Sequence, residues 1–557
     1  MNEHQVTTQP NENFYRKIKK HFQSLIFYTK THLSFSFCYL LIFTISVLLR
    51  LFVWWNYGTL QWDEGAHSVG GVFISKLFLN NLRDPIGYSG NYITDYPATL
   101  TGLWFYPPGY GLLTSVGYPL LGFNDFVARL PDLIFSVLLI HATIRVAKEI
   151  ETNEKVALVS AFLTATSSII VIVGTGAMVD IPQATLMMYS ILFWIRGMKN
   201  QEDNAFLKAG LLGGLAGLMK PIGISILLFM IAFHVLMFLT SKDKPIFSKG
   251  FGKGIICGFL TFSPWWVSAI VVKIAVGGWI GETAIGGVAY WFDIFGVFGR
   301  YMPPWGYSPQ WYTYEGWTYY ANHLSFMMGV LPFVFSFIGI IYRIKKMKRT
   351  DFLLILFVFS NYVLQTFASN KNPRYIISCL PILYIYSSIG LTDTYMNIKK
   401  HVSPHVRVKN LMAVSLIIIF ALEGLMPLIS AIKINYTPGM GFGTLVPIKE
   451  SLQIIKDDGD GGIIMPDSED NHFNVPTLTF YIASIDNNRK YGCRSPPPNV
   501  DDILSIKIED KSVKYVLVHD STSNVNRFIQ SNPKCFVLID KTENAYGSIF
   551  IYKVIEN

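Results

Sequence analysis

Acidic and basic side chains lie beside long apolar segments at several points of this sequence. Asp63 and Glu64 follow the first apolar segment, in QWDEGAH. Five further ionisable residues lie at the ends of later apolar segments: Arg129, Asp180, Lys220, Lys371 and Arg374. Such groups are energetically expensive near a membrane and commonly functional. Their types suit displacement of a phosphate leaving group, because cations neutralise the phosphate and a carboxylate accepts the proton of an attacking hydroxyl.

Each of these residues also has a purely structural explanation. An Asp-Glu pair after an apolar segment can be a solvated helix cap, and Arg129 can be an interface anchor whose head group extends to water. Asp180 can cap the helix that it begins, and Lys371 and Arg374 can be ordinary loop residues. The functional interpretation depends on their complementary charges and on a predicted position on one face of a membrane.

Composition indicates a membrane protein. Of the 557 residues, 51% are hydrophobic and only 15% are charged, whereas soluble domains contain about 25% charged residues. The run from Ser34 to Trp55 is long enough to cross a hydrocarbon layer of roughly 30 Å. No small-residue cleavage site follows this run, so we expect a retained first span after a basic cytoplasmic tail at 1–33.

Hydropathy in a window of about 19 residues predicts roughly eleven transmembrane helices within 34–432. After the first, they fall near 126–147, 156–174, 180–197, 206–219, 221–240, 254–276, 324–342, 352–368, 375–392 and 411–432. Lys and Arg concentrate in alternate loops, which predicts a cytoplasmic N-terminus and an extracytoplasmic C-terminus in a cell membrane. The net charge of +9 then belongs to membrane-anchoring loops, so nucleic acid is not an expected partner.

Two predicted outer loops, 57–125 and 278–323, are too long to be simple turns. The first contains GYGLLTSVGYPLLGF, which is too short to cross a membrane and fits an interfacial or re-entrant helix. The second is dense in Trp, Tyr and Pro, and its rings suit either anchoring at the lipid headgroups or sugar stacking.

Short β-rich runs alternate with helix-like segments from 433 to 557, which predicts a small α/β domain. Its acidic clusters DDGDGG and PDSEDN lack the spacing of a calcium loop and are interpreted as solvated turns. Cys493 and Cys535 are the cysteines outside the apolar spans, and we expect them to form a disulfide in an extracytoplasmic domain. No Cys or His spacing indicates a structural zinc site.

The order of several motifs resembles that of the GT-C glycosyltransferases. More closely, it is similar to the superfamily of dolichyl-phosphate-mannose protein mannosyltransferases and aminoarabinose transferases. Six segments carry the resemblance between about residues 30 and 395: WDEGAH, FYPPGYGLL, FNDFVARLPD, GAMVDIP, GLAGLMKP and NKNPRYIISCLP. The Lys-Pro-Pro variant of the second motif is Tyr106-Pro107-Pro108 here, so a phosphate-binding role for a lysine at that position does not carry over.

The resemblance implies an inverting membrane glycosyltransferase that takes a sugar from a polyprenyl-phosphate (dolichyl-phosphate) carrier. Asp63 matches the catalytic acid and is expected to be the base, and Glu64 matches its paired acid. Six residues are expected to bind the donor phosphate or substrate: Arg129, Asp180, Lys220, Lys371, Arg374 and Tyr375. No metal or other cofactor is expected to be required, although some relatives bind a divalent cation near these acids. The sugar and the hydroxyl acceptor (protein, lipid or glycan) remain open.

Two other functions fit a polytopic protein. A secondary transporter is also polytopic, but transporters tend to have repeated halves and ionisable groups near the membrane midplane. We find no internal repeat, and the charged residues lie at the predicted outer ends of helices. A surface-assembly protein would explain the C-terminal domain but not the order of the acidic and basic motifs.

Overall fold

A computed structural model describes most of the chain outside its N-terminal tail. The described residues are 35–54, 58–80, 82–100, 102–103, 106–240, 248–275, 309–368, 371–401, 446–468, 473–486, 488–508, 510–544 and 547–555, with single positions between 402 and 445. The predicted tail at 1–33, most of the loop at 278–323 and the predicted last span at 411–432 lie outside these residues.

Helices dominate the first two-thirds of the chain. They are α1 (Phe35–Trp54), α2 (Trp62–Asn80), α3 (Pro85–Asp95), α4 (Gly109–Leu121), α5 (Asp125–Ile150), α6 (Glu154–Thr166), α7 (Ser168–Val173), α8 (Asp180–Asn200) and α9 (Asp203–Met219). They continue with α10 (Ser225–Thr240), α11 (Lys249–Ala275), α12 (Tyr314–Met328), α13 (Val330–Ile344), α14 (Arg349–Phe367) and α15 (Leu380–His401). Short 3₁₀ helices at Pro221–Ile224 and Pro373–Cys379 precede α10 and α15.

The helices confirm a polytopic helical membrane protein. Five helical segments in the described part of the chain are long and apolar enough to cross a membrane: Phe35–Trp54, Asp125–Ile150, Pro221–Thr240, Arg349–Phe367 and Pro373–Ile398. The helices α8, α9 and α11 also coincide with predicted spans. The total of about eleven crossings stays a prediction.

One predicted span, at 324–342, is not a single helix. Its residues divide between α12 and α13, whose axes differ by 114°. The break falls at Gly329, whose φ is +85°, a left-handed conformation that side chains disfavour and glycine adopts readily. Hydropathy does not detect such a break, because the residues on both sides of Gly329 are apolar.

The predicted loop at 57–125 folds into three helices, α2, α3 and α4. The GYGLL segment forms α4, as expected, and α4 packs along α2. The sequence did not predict α2, which starts with Asp63 and Glu64 in its first turn. Glu64 accepts a hydrogen bond from the backbone N–H of Gln61 at 2.9 Å, half of a capping box. Acidic residues at this end also interact favourably with the helix dipole.

The C-terminal domain is α/β, as predicted. It contains α16 (Ile448–Asp458), β1 (Gly462–Pro466), α17 (Val475–Ile485), β2 (Tyr491–Cys493), a 3₁₀ helix (Val500–Ser505), β3 (Lys507–Ile508), β4 (Lys511–Val518), α18 (Asn524–Ser531), β5 (Phe536–Asn544) and β6 (Gly547–Val554). The strand order is β2-β1-β4-β6-β5, and β3 pairs with β4. The β1 strand is parallel to β2 and β4, whereas β6 is antiparallel to β4 and β5.

The two faces of this sheet belong to different hydrophobic cores. Ile463 and Met465 of β1 point into a core within the domain, while their neighbour Ile464 points to the opposite face, as strand alternation requires. Ile464 belongs to a core shared with the helices of the 57–125 region, including Val72 of α2 and Tyr110 of α4. The domain is therefore packed directly on α2, the helix whose first turn contains Asp63.

The predicted disulfide between Cys493 and Cys535 is wrong. The two cysteines are not bonded to each other. Cys493 ends β2 at one edge of the sheet, and Cys535 precedes β5 at the other edge. Adjacent strands lie about 4.8 Å apart, and a disulfide requires Cα atoms within roughly 7 Å of each other. Spacing along the chain does not reveal strand order, so this separation was not visible in the sequence.

Candidate functional site

Asp63 lies at the N-terminal end of α2 and contacts two residues that are distant in sequence. Its Oδ1 accepts a hydrogen bond from the hydroxyl of Tyr106 at 2.9 Å. Its Oδ2 accepts a hydrogen bond from Nη2 of Arg374 in a salt bridge. The Asp63 side chain is 20% exposed, so it is not fully buried.

Arg374 links Asp63 to a second acid–base pair. Its Nε lies 3.8 Å from Oδ2 of Asp180, and Nζ of Lys220 lies 2.7 Å from Oδ1 of the same carboxylate. The four side chains thus alternate in charge along one chain of contacts, which we call the charged cluster: Asp63, Arg374, Asp180 and Lys220. Sequence analysis selected all four residues, and the structure brings them together.

Helix ends and breaks place the charged cluster. Asp180 is in the first turn of α8, whereas Lys220 follows α9 with an extended backbone, φ −150° and ψ 133°. Pro221 and Pro373 begin the 3₁₀ helices next to Lys220 and Arg374. Proline removes a backbone donor and disfavours helical conformation in the preceding residue. Regular α-helix is therefore interrupted at Lys220 and at Arg374, and their side chains extend from these interruptions.

Tyr375 packs against Lys220 of the charged cluster, and Lys371 lies four residues before Tyr375 in the chain. The ring of Tyr375 lies under Lys220, with Nζ 4.1 Å from the ring centroid, a distance typical of cation–π contacts. The Lys371 ammonium group donates to the carbonyl of Ala368 at 2.7 Å and is 5% exposed. Burial lowers the pKa of Lys371 to about 8. Tyr375 therefore packs against the charged cluster, while the Lys371 ammonium group binds a carbonyl of its own loop.

The electrostatics of the cluster keep Asp63 ionised. Burial alone would raise the pKa of its carboxyl, but the charge of Arg374 and the hydrogen bonds from Arg374 and Tyr106 lower that pKa to about 2. His67, one turn along α2, packs edge-on against Tyr106 with ring centroids 4.4 Å apart. Burial lowers the pKa of His67 to about 4, so this ring is neutral at pH 7.

Glu64 and Arg129 form a separate buried pair. The Arg129 Nε lies 3.3 Å from Glu64 Oε1, and the two side chains are 3% and 0% exposed. Arg129 also donates to the carbonyl of Gly58 at 2.9 Å, and Glu64 accepts from the backbone N–H of Ala177 at 2.7 Å. These contacts connect the start of α2 to α5 and to the segment before α8. The pair of Glu64 and Arg129 therefore links α2, α5 and the segment before α8, and it is separate from the charged cluster.

The C-terminal domain also holds the start of α2. Thr477 of α17 donates from Oγ1 to the carbonyl of Leu60 at 3.2 Å, and the hydroxyl of Tyr481 accepts from the N–H of Leu60 at 3.1 Å. The approach is closest at Gly65, where a Cβ atom would lie 2.6 Å from the backbone nitrogen of Thr477. Hydrogen bonds and close packing with α17 therefore hold the segment that carries Asp63 and Glu64 in place.

Substituting Gly65 with Ala is expected to push α17 away from α2. The new Cβ would meet the backbone nitrogen and Cα of Thr477 first, and backbone atoms cannot move aside as the end of a flexible side chain can. Overpacking of this kind typically destabilises a protein by about 1–3 kcal/mol, and it should also displace Asp63. The measurement is thermal unfolding of the purified protein. Gly90→Ala in α3 is the matched control, since a Cβ at Gly90 meets nothing within 4 Å. Equal unfolding temperatures of the two variants would contradict the close contact.

No group of three His, Cys, Asp or Glu side chains able to hold a metal ion occurs among the described residues. Asp63 and Asp180 are each engaged by cations. The expectation that no metal is needed stays a prediction.

Sequence analysis missed two residues of the site. Tyr106 was noted only as a departure from Lys-Pro-Pro, although its hydroxyl binds Asp63. His67 was not among the selected residues, but it is 3% exposed and packs on Tyr106. Its spacing of four residues from Asp63 places both on one face of a helix. That spacing was the available signal, and it depended on predicting α2.

Comparison with known sequences identifies a family match over part of the chain. The model of the family described as dolichyl-phosphate-mannose-protein mannosyltransferase matches residues 106–267. This region includes Tyr106, Arg129, Asp180 and Lys220. No curated protein sequence shows significant similarity to the chain.

Solved structures match nearly the whole chain. ArnT from Cupriavidus metallidurans in the apo state has a TM-score of 0.60 and 13% sequence identity, over 91% of this chain and 97% of that chain. ArnT bound to undecaprenyl phosphate has a TM-score of 0.59 at 12% identity, over 92% and 97% of the two chains. The archaeal oligosaccharyltransferase AglB from Archaeoglobus fulgidus, in complex with an inhibitory peptide and a dolichol-phosphate, has a TM-score of 0.58 at 12% identity, over 93% and 74%. At these low sequence identities, the similarity to ArnT and AglB shows a shared fold.

Proposed function

We propose that this chain, a membrane protein with the GT-C glycosyltransferase fold, transfers a sugar from a polyprenyl-phosphate carrier to a hydroxyl acceptor. The observation that carries the proposal is the contact of Asp63 with Arg374, beside a second acid–base pair, in a fold shared with ArnT and AglB. The ArnT and AglB structures with undecaprenyl phosphate and dolichol-phosphate support a lipid-linked donor. The basic loops of the sequence support catalysis on the extracytoplasmic face.

The proposed reaction is a single displacement with inversion. The acceptor oxygen forms a bond to the anomeric carbon while the bond from that carbon to the phosphate oxygen breaks, and the phosphate leaves with the electron pair. Asp63 accepts the acceptor's proton. Arg374 and Lys220 stabilise the charge on the leaving phosphate, since Arg forms paired hydrogen bonds with phosphate oxygens. Asp180 holds both cations in place before the donor arrives.

The ion pair in the cluster connects donor binding to the strength of the base. With Arg374 beside it, Asp63 has a pKa of about 2, and so weak a base accepts a proton poorly. A donor phosphate that engages Arg374 takes positive charge away from Asp63. Loss of that charge raises the pKa of the carboxyl, so the proposed base becomes stronger once the donor is bound.

This coupling predicts a difference between two pH profiles. The acidic limb of kcat/KM reports groups of the free enzyme, and the acidic limb of kcat reports those of the substrate complex. Because the free carboxyl has the depressed pKa, its ionised form persists as the pH falls toward about 2. We expect the kcat limb at a higher pH than the kcat/KM limb. Coincident limbs would show that the donor leaves the pair between Asp63 and Arg374 intact.

The function is tested by direct transfer assays. Purified protein is incubated with labelled polyprenyl-phosphate mannose, glucose or aminoarabinose and a membrane fraction that supplies acceptors. The labelled product then identifies both the sugar and the acceptor class. Formation of a labelled glycoside that disappears with an Asp63→Asn variant supports the proposal. Binding of the carriers with no transfer to any acceptor would overturn it in favour of a transporter or an assembly protein.

Replacing Arg374 with Ala is expected to weaken binding of the carrier phosphate by about 1.5–3 kcal/mol, the usual scale for hydrogen bonds to a charged group. Arg374→Lys should restore only part of the affinity, because the planar fork is lost. Binding of labelled polyprenyl phosphate to the purified variants measures the effect. Arg343→Ala is the matched control, since Arg343 makes its salt bridge with Glu151, away from the cluster. Unchanged affinity in Arg374→Ala would exclude the cluster as the phosphate site.

A further inference from the structure

The two oxygens of the Asp63 carboxylate have chemically different partners. The hydroxyl of Tyr106 donates to Oδ1 at 2.9 Å, whereas the guanidinium group of Arg374 donates to Oδ2. One partner is a neutral phenol and the other is a cation. The reaction proposed above removes only the cation, because the donor phosphate engages Arg374. The proposed reaction gives Tyr106 no role, although its hydroxyl stays beside the base.

The backbone at Tyr106 is held on its C-terminal side. Pro107 and Pro108 follow it, and a proline fixes its own φ and favours an extended conformation in the residue before it. Helix α4 starts immediately afterwards at Gly109, where a Cβ atom would meet the backbone carbonyl of Leu218 in the last turn of α9. The start of α4 is therefore packed closely against the end of α9, which limits the movement of Tyr106.

The ring of Tyr106 is held by other rings. His67 of α2 packs edge to face on it, with ring centroids 4.4 Å apart. The ring of His67 also contacts Tyr110 of α4, with centroids 5.7 Å apart. The Tyr110 hydroxyl donates to the carbonyl of Ala128 in α5 at 2.8 Å. Rings anchored on α2, α4 and α5 therefore direct the Tyr106 hydroxyl toward Asp63.

We propose that Tyr106 is a positioning residue, which holds the Asp63 carboxylate by Oδ1 so that Oδ2 takes the acceptor's proton. The proposal rests on the proposed function, since it concerns the proton transfer of that reaction. When the donor phosphate draws Arg374 away, Oδ2 becomes free to accept and Oδ1 stays bound to Tyr106. The acceptor's O–H bond then breaks toward Oδ2 while its oxygen bonds to the anomeric carbon, and the phosphate leaves with the electron pair of the broken carbon–oxygen bond.

The electrostatics of Asp63 provide a measurable sign of this contact. Burial raises the pKa of the Asp63 carboxyl, but the charge of Arg374 and the hydrogen bonds from Arg374 and Tyr106 lower it to about 2. A hydrogen bond to the charged form of a group favours that form, so removing the Tyr106 hydroxyl raises the pKa of Asp63. The ionisable groups around this carboxyl come from four segments of the chain: His67, Arg374, Asp180 and Lys220.

The first experiment detects this change without sugar transfer, by the rate at which a hydrophobic carbodiimide modifies Asp63 in the full-length protein. Carbodiimides react with protonated carboxyl groups, so well above the pKa the rate follows the protonated fraction. A hydrogen bond to a charged group is worth roughly a tenfold change in an ionisation constant. We therefore expect Tyr106→Phe to raise the modification of Asp63 at pH 5 by about tenfold, as measured by mass spectrometry of the peptide.

A matched control removes a tyrosine hydroxyl elsewhere. Tyr342 of α13 accepts a hydrogen bond from the side chain of Asn397 at 3.1 Å, and Tyr342→Phe leaves the contacts of Asp63 in place. Its modification rate should equal that of wild type. An unchanged rate in a folded Tyr106→Phe protein would overturn the proposed hold on Oδ1.

The second experiment is single-turnover sugar transfer by the same variants. Tyr106→Phe should bind the donor normally, because Tyr106 is assigned no contact with the phosphate. Its plateau kcat should fall by about tenfold or more, since the carboxylate is no longer held in one orientation. The acidic limb of its kcat profile should move to higher pH, as the pKa of Asp63 rises. A plateau at or above that of wild type would show that Oδ1 takes the proton, because the hydroxyl would then compete with the acceptor.

The two experiments together separate this proposal from the proposed function. Wild-type protein that transfers sugar, with no change of modification or kcat in Tyr106→Phe, contradicts only the role of Tyr106. Wild-type protein that transfers no sugar to any acceptor, while Tyr106→Phe still raises the modification rate, overturns the proposed function and the proton transfer to Oδ2. In that case the hold of Tyr106 on Oδ1 is confirmed.

Discussion

Replacing Asp63 with Asn is expected to lower the rate of sugar transfer by about 100- to 10,000-fold, the usual contribution of a general base. Asparagine keeps the size of the side chain and can still accept a hydrogen bond from Tyr106, but it cannot accept the acceptor's proton. It also removes the negative charge that faces Arg374. Binding of the donor should therefore persist while kcat falls. The measurement is single-turnover transfer from a labelled polyprenyl-phosphate sugar.

A second substitution separates loss of the base from a general loss of charge. Asp125 is in the first turn of α5 and contacts Lys449 of the C-terminal domain at 2.6 Å. Asp125→Asn removes an acid near the start of a helix without touching the charged cluster, so its transfer rate should stay within about threefold of wild type. An Asp63→Asn rate within the same range would exclude Asp63 as the base and favour Asp180, the other carboxylate of the charged cluster.

The sequence predicted helices best where the spacing of apolar residues indicates one buried helical face. The segment IKESLQIIKDD is one of the helix-like segments predicted between 433 and 557, and it forms α16, whose apolar residues Ile448, Leu452 and Ile455 are buried on one face. The segment of α2 contains Gly, His and Ser among its apolar residues and has no clear periodicity. Its packing against α4 and α17 stabilises it as a helix. Helix propensity and hydropathy do not report such tertiary contacts.

The chemistry of the site was easier to predict than its connections. Asp63, Asp180, Lys220 and Arg374 were selected because charged side chains near membrane spans are rare. The sequence does not reveal which acid contacts which cation, because the partners are far apart along the chain. Asp63 and Arg374 are 311 positions apart. Sequence analysis therefore grouped Arg129 and Glu64 with these residues, although their contacts form a separate buried pair.

Variants of the buried pair of Arg129 and Glu64 can show whether Arg129 has a structural role or binds the substrate. If the pair holds α2 against α5, Arg129→Ala leaves the buried carboxylate of Glu64 without its counter-ion, and breaking a buried ion pair in this way typically costs about 3–5 kcal/mol of stability. A double variant, Glu64→Gln with Arg129→Met, leaves no unpaired charge and should recover much of that loss. If Arg129 instead holds the carrier phosphate, Arg129→Ala should weaken carrier binding while the unfolding temperature stays near wild type. Thermal unfolding and carrier binding, measured on the same variants, distinguish these outcomes. We expect the large loss of stability, because both carboxylate oxygens of Glu64 already accept hydrogen bonds from Arg129.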